Sequence, residues 1–162
     1  MRLFVAIKTD RTVNGAVKNT ASSLKLFGKG TVYTDEELYH ITLAFIGESN
    51  RVGDIKSVLD GIKSKPFDIS LTQLGNFGDV YYVGVKPTPP LLLLQKEITK
   101  ALSEKGFDIE KRSFKPHITV ARRYRSDIPP VVFVPAASQR VKSVVLMQSV
   151  GGVYKILYTK EL

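Results

Sequence analysis

The chain has two histidines, and each opens the same pattern: His-Ile-Thr-Leu at residues 40–43 and His-Ile-Thr-Val at 117–120. The copies stand 77 residues apart in a chain of 162, one in each half, so the sequence reads as an internal duplication. Both lie in runs that favour extended backbone: YHITLAFI (39–46), which ends at Gly47, and HITVARR (117–123). Residues i and i+2 of a strand share a face, so His40 with Thr42, and His117 with Thr119, project as pairs from one side of a sheet. The fold this permits is one in which two lobes present their pairs to a common cleft.

The remaining elements agree with such a frame. RLFVAI (2–7) reads as a buried strand, and Thr9 and Asp10 are caps for a helix running to about Phe27, where Gly28 and Gly30 stop it. Val52, Ile55, Val58, Leu59 and Ile62 fall at helical spacing within 51–64, ahead of Pro66. FDISLTQL and VYYVGV, joined by GNFGD, predict a hairpin over 67–85, and a third helix runs from about Pro90 to Gly106. After the second motif, VVFV (131–134) reads as a short strand. Residues 140–150 and 153–162 then form a closing hairpin around Gly151 and Gly152. Strands outnumber helices and do not alternate with them regularly, which predicts an α+β fold with mainly antiparallel sheet over one bilobal domain, residues 1–162.

Composition narrows the chemistry. There is no cysteine, which removes disulfides, thiolate nucleophiles and zinc-thiolate sites. Lys and Arg number 24 against 15 Asp and Glu, and the net charge of +9 favours polyanionic partners. The start MRLFVAIKTDR lacks the long apolar core of a signal peptide, no stretch approaches a membrane span, and no heptad repeat is evident. The expectation is a monomer in the cytoplasm, with no membrane association.

Two histidines can divide one proton-transfer reaction between them, because imidazole gives and takes protons near neutral pH. Opening a cyclic phosphodiester needs such a division: one group takes a proton from water and another gives one to the departing ribose oxygen. Thr42 and Thr119 can donate hydrogen bonds to the non-bridging phosphate oxygens. Neither a metal nor a cofactor is required.

The paired His-x-Thr-x motifs, together with MRLFVAI, ELYHITLAFIGE, LGNFGDVYYVGV, FKPHITVARR and the terminal VVLMQSV and VYKILYTKEL, resemble the two-histidine phosphoesterases. The resemblance is to the RNA 2',3'-cyclic phosphodiesterases also called 2'-5' RNA ligases, or LigT-like proteins. It implies a bilobal fold of duplicated antiparallel sheets with flanking helices, pseudo-twofold symmetry and a central cleft. It also implies hydrolysis of RNA 2',3'-cyclic phosphate ends to 2'-phosphates, with His117 as base, His40 as acid, and Thr42 and Thr119 on the phosphate. The reverse assignment of acid and base stays open, and ligation of 2'-5' ends would be a side activity. Five residues beyond each histidine stand Phe45 and Arg122, which by the same resemblance sandwich a nucleobase. Lys115 and Arg123 are candidates for the RNA backbone. Ala44 stands where relatives often have a basic residue, and Val32 and Tyr33 where they have an Arg-Trp pair. The competing readings are a phosphodiesterase acting on 2'-5' linked or small cyclic nucleotides, and a non-catalytic module that grips an RNA end.

Overall fold

Leu3 to Ile7 leave no polar position in the first apolar run, and the strand they form, β1 (Arg2–Lys8), is buried on both faces. The computed structural model describes residues 1–29 and 31–162, so Gly30, expected as part of the first helix stop, lies outside the described residues. Asp10 caps α1 (Arg11–Leu24), its carboxylate accepting the Val13 N–H at 3.0 Å. This helix ends at Leu24 rather than Phe27. Val13, Val17 and Leu24 form its buried stripe, while Leu26 beyond its end is exposed.

The chain continues through β2 (Val32–Tyr33), a single 3-10 turn (Glu36–Leu38), β3 (His40–Glu48), α2 (Val52–Asp60), β4 (Phe67–Phe77) and β5 (Val80–Val85). Then come α3 (Pro89–Glu104), β6 (His117–Arg122), β7 (Ser138–Val141), β8 (Ser143–Val150) and β9 (Val153–Glu161). Helix α2 stops short of Ser64 because the Glu97 carboxylate of α3 accepts the backbone N–H groups of Lys63 and Ser64 and holds them out of the helix.

The strands make two antiparallel sheets, one in the order β3-β1-β8-β9 and the other β2-β6-β5-β4-β7. Without the short β2 the two orders correspond: β3 pairs with β1 as β6 pairs with β5. In each case one α-helix, α1 or α3, lies between the paired strands in sequence. The repeated unit is therefore strand, helix, histidine strand. The lobes are nevertheless not the two halves of the chain. β8 and β9, from its end, complete the sheet of β1 and β3, while the middle of the chain makes the other sheet.

One hydrophobic cluster joins the inner faces of both sheets to the three helices, with Leu3, Ile7, Leu24, Ile41, Leu59, Leu94, Ile98 and Ile118 fully buried. A smaller one, Phe4, Ala6, Val145 and Met147, lies on the opposite face of the first sheet. Two expectations are corrected. Residues 131–134 are not a strand: Val131 and Phe133 are 86% and 85% exposed and only Val134 is buried. Pro129, Pro130 and Pro135 surround them and withhold the N–H groups that a ladder needs. Residues 140–150 are not one strand either. The run breaks at Lys142, so that β7 pairs with β4 in one sheet and β8 with β1 in the other. Among the described residues no helix is long and apolar enough to cross a membrane.

Candidate active site

His40 and His117 are the first residues of β3 and β6, where the backbone just upstream is free of the ladder and can turn a carbonyl towards the ring. Each ring is clamped from two residues back: His40 Nδ1 lies 2.7 Å from the Leu38 carbonyl oxygen and His117 Nδ1 2.6 Å from that of Lys115. A carbonyl only accepts, so Nδ1 carries the hydrogen in both rings and the lone pair of the neutral imidazole resides on Nε2. The clamp thus fixes the tautomer and aims Nε2 outward. At His40 this atom meets the Thr42 hydroxyl at 2.9 Å, which donates to it. At His117, among the described residues, Nε2 has no protein partner.

The two strands match position by position. Over their first six residues both run half-buried, buried, half-buried, buried, buried, exposed, which puts His and Thr on the same side in each and leaves Phe45 and Arg122 exposed at the sixth. The imidazoles also share a type of backing. Phe4 of β1 and Tyr154 of β9 stand with ring centroids 5.1 and 5.3 Å from His40. Tyr82 of β5 and Phe77 of β4 stand 5.0 and 5.2 Å from His117. Tyr82 reaches its place by lying across Gly75, where a Cβ would come within 2.5 Å of the ring, so glycine is required there.

This backing sets the charge state. Burial pushes the His40 pKa below the ordinary 6.5, the Leu38 carbonyl opposes it, and the positive fields of His117, Lys8 and Arg122 push it lower. His117 is likewise lowered by burial against the pull of the Lys115 carbonyl, with Arg122, Arg112 and Lys115 adding to the effect. Both rings are therefore neutral at pH 7 in the free protein. Arg122 acts on both, so its guanidinium serves the two lobes together.

A cavity of about 510 Å³ lies between the lobes. Its wall includes Thr42 and Phe45 of β3, His117, Thr119 and Arg122 of β6, and Lys115, so six residues singled out from the sequence line one space. His40 is not on that wall and reaches it through the Thr42 hydroxyl bonded to its Nε2. Arg123 does not line the cavity either. It holds a left-handed backbone (φ +56°), and its side chain is exposed.

Several contributors were missed: Phe4, Phe77, Tyr82 and Tyr154 behind the histidines, and Gln95 and Thr99, through which α3 lines the far end of the cavity. Gln95 also donates to the Leu43 carbonyl of the edge strand β3 at 3.4 Å. Arg2 stands 5.4 Å from the Phe45 ring centroid and Lys115 5.5 Å from that of Phe77. Val32 of β2, at one position where relatives often carry the Arg-Trp pair, pairs with Arg122 and supplies no charge beside it. Among the described residues there is no group of three His, Asp or Glu side chains that could hold a metal ion.

The family model described as the 2'-5' RNA ligase superfamily matches residues 17–152. An RNA 2',3'-cyclic phosphodiesterase of Thermotoga maritima is 31% identical, the match covering 98% of this chain and 94% of that protein. An RNA 2',3'-cyclic phosphodiesterase of Geobacillus stearothermophilus is 29% identical over 78% of this chain, and there the match spans less than half, 43%, of the relative's length. The crystal structure of E. coli LigT complexed with 3'-AMP superposes with a TM-score of 0.81 at 21% identity, covering 99% of this chain and 97% of that one. The α+β LigT-like fold expected from the sequence is the one found.

Proposed function

Because the chain belongs to the 2'-5' RNA ligase superfamily, we propose that it hydrolyses 2',3'-cyclic phosphates at RNA ends to 2'-phosphates, passing protons between His117 and His40 without a metal. The observation that carries this reading is the matched pair of clamps: two rings held through Nδ1 by a carbonyl two residues upstream, each with a threonine two residues downstream.

In the proposed reaction the lone pair on His117 Nε2 takes a proton from water, whose oxygen bonds to phosphorus. The bond from phosphorus to O3' breaks, and the proton that O3' needs to leave as a hydroxyl comes from protonated His40, passed on through the Thr42 hydroxyl bonded to its Nε2. The unpartnered Nε2 of His117 suits the base. At His40 the threonine contact couples protonation to phosphate binding. With His40 neutral, the Thr42 hydroxyl hydrogen is directed to Nε2; with Nε2 protonated, Thr42 accepts there and its hydrogen turns to a phosphate oxygen. Thr119 donates from the other lobe, and Arg122 lies near enough to both rings to hold the negative charge that builds on the phosphate. An anion between two imidazoles also favours their protonation, which supplies the acid form that the free protein disfavours.

Phe45 and Arg122, one from each lobe, are positioned to stack on the terminal base from two sides. Stacking is tolerant of base identity, so ends of any sequence are accepted. Lys115, on the cavity wall, contacts the RNA backbone; Arg123, outside the cavity, contributes at most to a more distant phosphate.

The test is hydrolysis, in EDTA, of an RNA oligonucleotide ending in a 2',3'-cyclic phosphate by the parent protein, His40→Ala and His117→Ala. The parent is expected to give the 2'-phosphate, and each variant to lose at least ~100-fold in kcat, the scale of a positioned acid or base. Bound but uncleaved RNA would point instead to the non-catalytic end-binding module. Cleavage indifferent to both substitutions would remove the two-histidine scheme.

A further inference from the structure

A second cavity, of about 390 Å³, opens beside the first. Ser113, Phe114 and Lys115 line both, so this short segment ahead of His117 is the partition between them. The rest of the second cavity comes from β4 and β5 and the turn that follows, with Thr72, Gln73, Tyr82, Gly84 and Pro87 on its wall. It is built on the strands that back His117: Gly84 pairs with His117 across the sheet, and Tyr82 is one of the rings beside it.

We propose that this cavity takes the penultimate nucleotide of the RNA, with Lys115 at the partition holding the phosphodiester that links it to the terminal one. The inference rests on the cyclic-end hydrolysis proposed above and deepens it. Three observations carry it. The cavity shares the wall segment 113–115 with the catalytic one, so a strand whose last nucleotide occupies the first need only cross this short segment to set its next in the second. Its size falls in the range of small-molecule pockets, about 300–1,000 Å³. Its chemistry is mixed in the way a nucleotide needs, with Phe114 and Pro87 offering apolar surface to a base and Gln73 and Thr72 offering polar atoms. Lys115 is exposed, its ammonium lies 5.5 Å from the Phe77 ring centroid, and the residue lines both cavities. A cation there is suited to an internucleotide phosphate.

A mononucleoside cyclic phosphate, on this proposal, uses the reaction centre and forgoes the second cavity, so chain length becomes a determinant of turnover. The experiment compares kcat/KM for a nucleoside 2',3'-cyclic phosphate with that for the dinucleotide ending in the same group. The dinucleotide is expected to be favoured by about tenfold, the lower range of one stacked base. Gln73→Glu then sets a negative charge in the second cavity alone. Gln73 is exposed, so folding is spared, and circular dichroism and a melting curve check that it is. This variant should cut the dinucleotide advantage to about twofold or less and leave mononucleotide turnover within about twofold of the parent; Gln73→Ala should fall between.

Equal turnover of both substrates by the parent overturns the second site while leaving the hydrolytic reading intact. So does a Gln73→Glu variant that slows both substrates alike. Failure to turn over either substrate removes the hydrolytic reading, and the inference with it.

Discussion

The two histidine strands carry the same tripeptide and the same burial alternation, yet they live in different surroundings. β3 is the edge of its sheet, and its histidine is screened on the cavity side by Thr42. β6 is flanked by β5 along its length and by β2 at its far end, its histidine opens directly on the cavity, and the cations that depress its pKa are Arg122, Arg112 and Lys115. The two lobes share what fixes a ring, the carbonyl clamp and the threonine two residues on, and differ in what surrounds it. One lobe supplies a sheltered imidazole coupled to a hydroxyl, the other an imidazole that opens directly on the cavity. Identical side chains can thus serve as acid and base without a change in their own motif.

Replacing the two threonines tests this difference most severely. Thr119→Val should lower kcat by about 100-fold, the loss expected for one oxyanion donor, with the pH profile unmoved. Thr42→Val should cost more, because it also removes the hydroxyl through which His40 reaches the cavity. Equal losses of kcat in the two variants would erase the asymmetry between the lobes.

Removing the group the lobes share comes next. In the proposed scheme the competent free protein has one histidine protonated and one neutral. Both pKa values lie below the ordinary 6.5, so kcat/KM on a cyclic phosphate should peak on the acid side of pH 6.5 and fall as pH rises. Arg122→Ala takes away a positive charge that lowers both pKa values. Its optimum should move to higher pH while kcat/KM at the optimum drops about tenfold from the lost charge on the phosphate. A shift in one limb only would show that Arg122 serves a single lobe.

The smallest effect concerns the residue just past the second histidine strand. Arg123 holds a left-handed backbone that costs an L-residue about 1–2 kcal/mol, while glycine loses part of that advantage through its freer unfolded chain. Arg123→Gly should therefore raise stability by up to about 1 kcal/mol in a denaturant melt. The corresponding position in the first lobe, Ile46, has no positive φ to relieve.

Legibility in the sequence followed the range of the interactions. The histidines, their threonines and the strands carrying them were readable because a period of two and a repeated tripeptide are local signals. Phe45 and Arg122 fall on the cavity wall at positions that counting along a strand already identified fixes, and Lys115 stands there just ahead of the second of these strands. The aromatic backing was not readable. Phe4, Tyr154, Phe77 and Tyr82 arrive from four different strands, and only the register between strands says which rings meet which histidine. Long-range pairing likewise decides that the run through Lys142 divides between two sheets and that Val32 and Tyr33 form a strand beside β6. At residues 131–134 the apolar pattern was real, but the surrounding prolines overrode it.

The closure of the first sheet by strands from the end of the chain has a temporal meaning. Val5 pairs with Leu146, and the ring of Tyr154 completes the setting of His40, whereas the pairings of β4, β5 and β6 span a far shorter length of chain. Synthesis runs from the N-terminus, and contacts between distant residues form late. The β4-β5-β6 core of the second lobe can therefore form while the polypeptide is still growing, but the first lobe waits for β8 and β9, so in the proposed scheme the acid is the last piece of the machinery to be made ready.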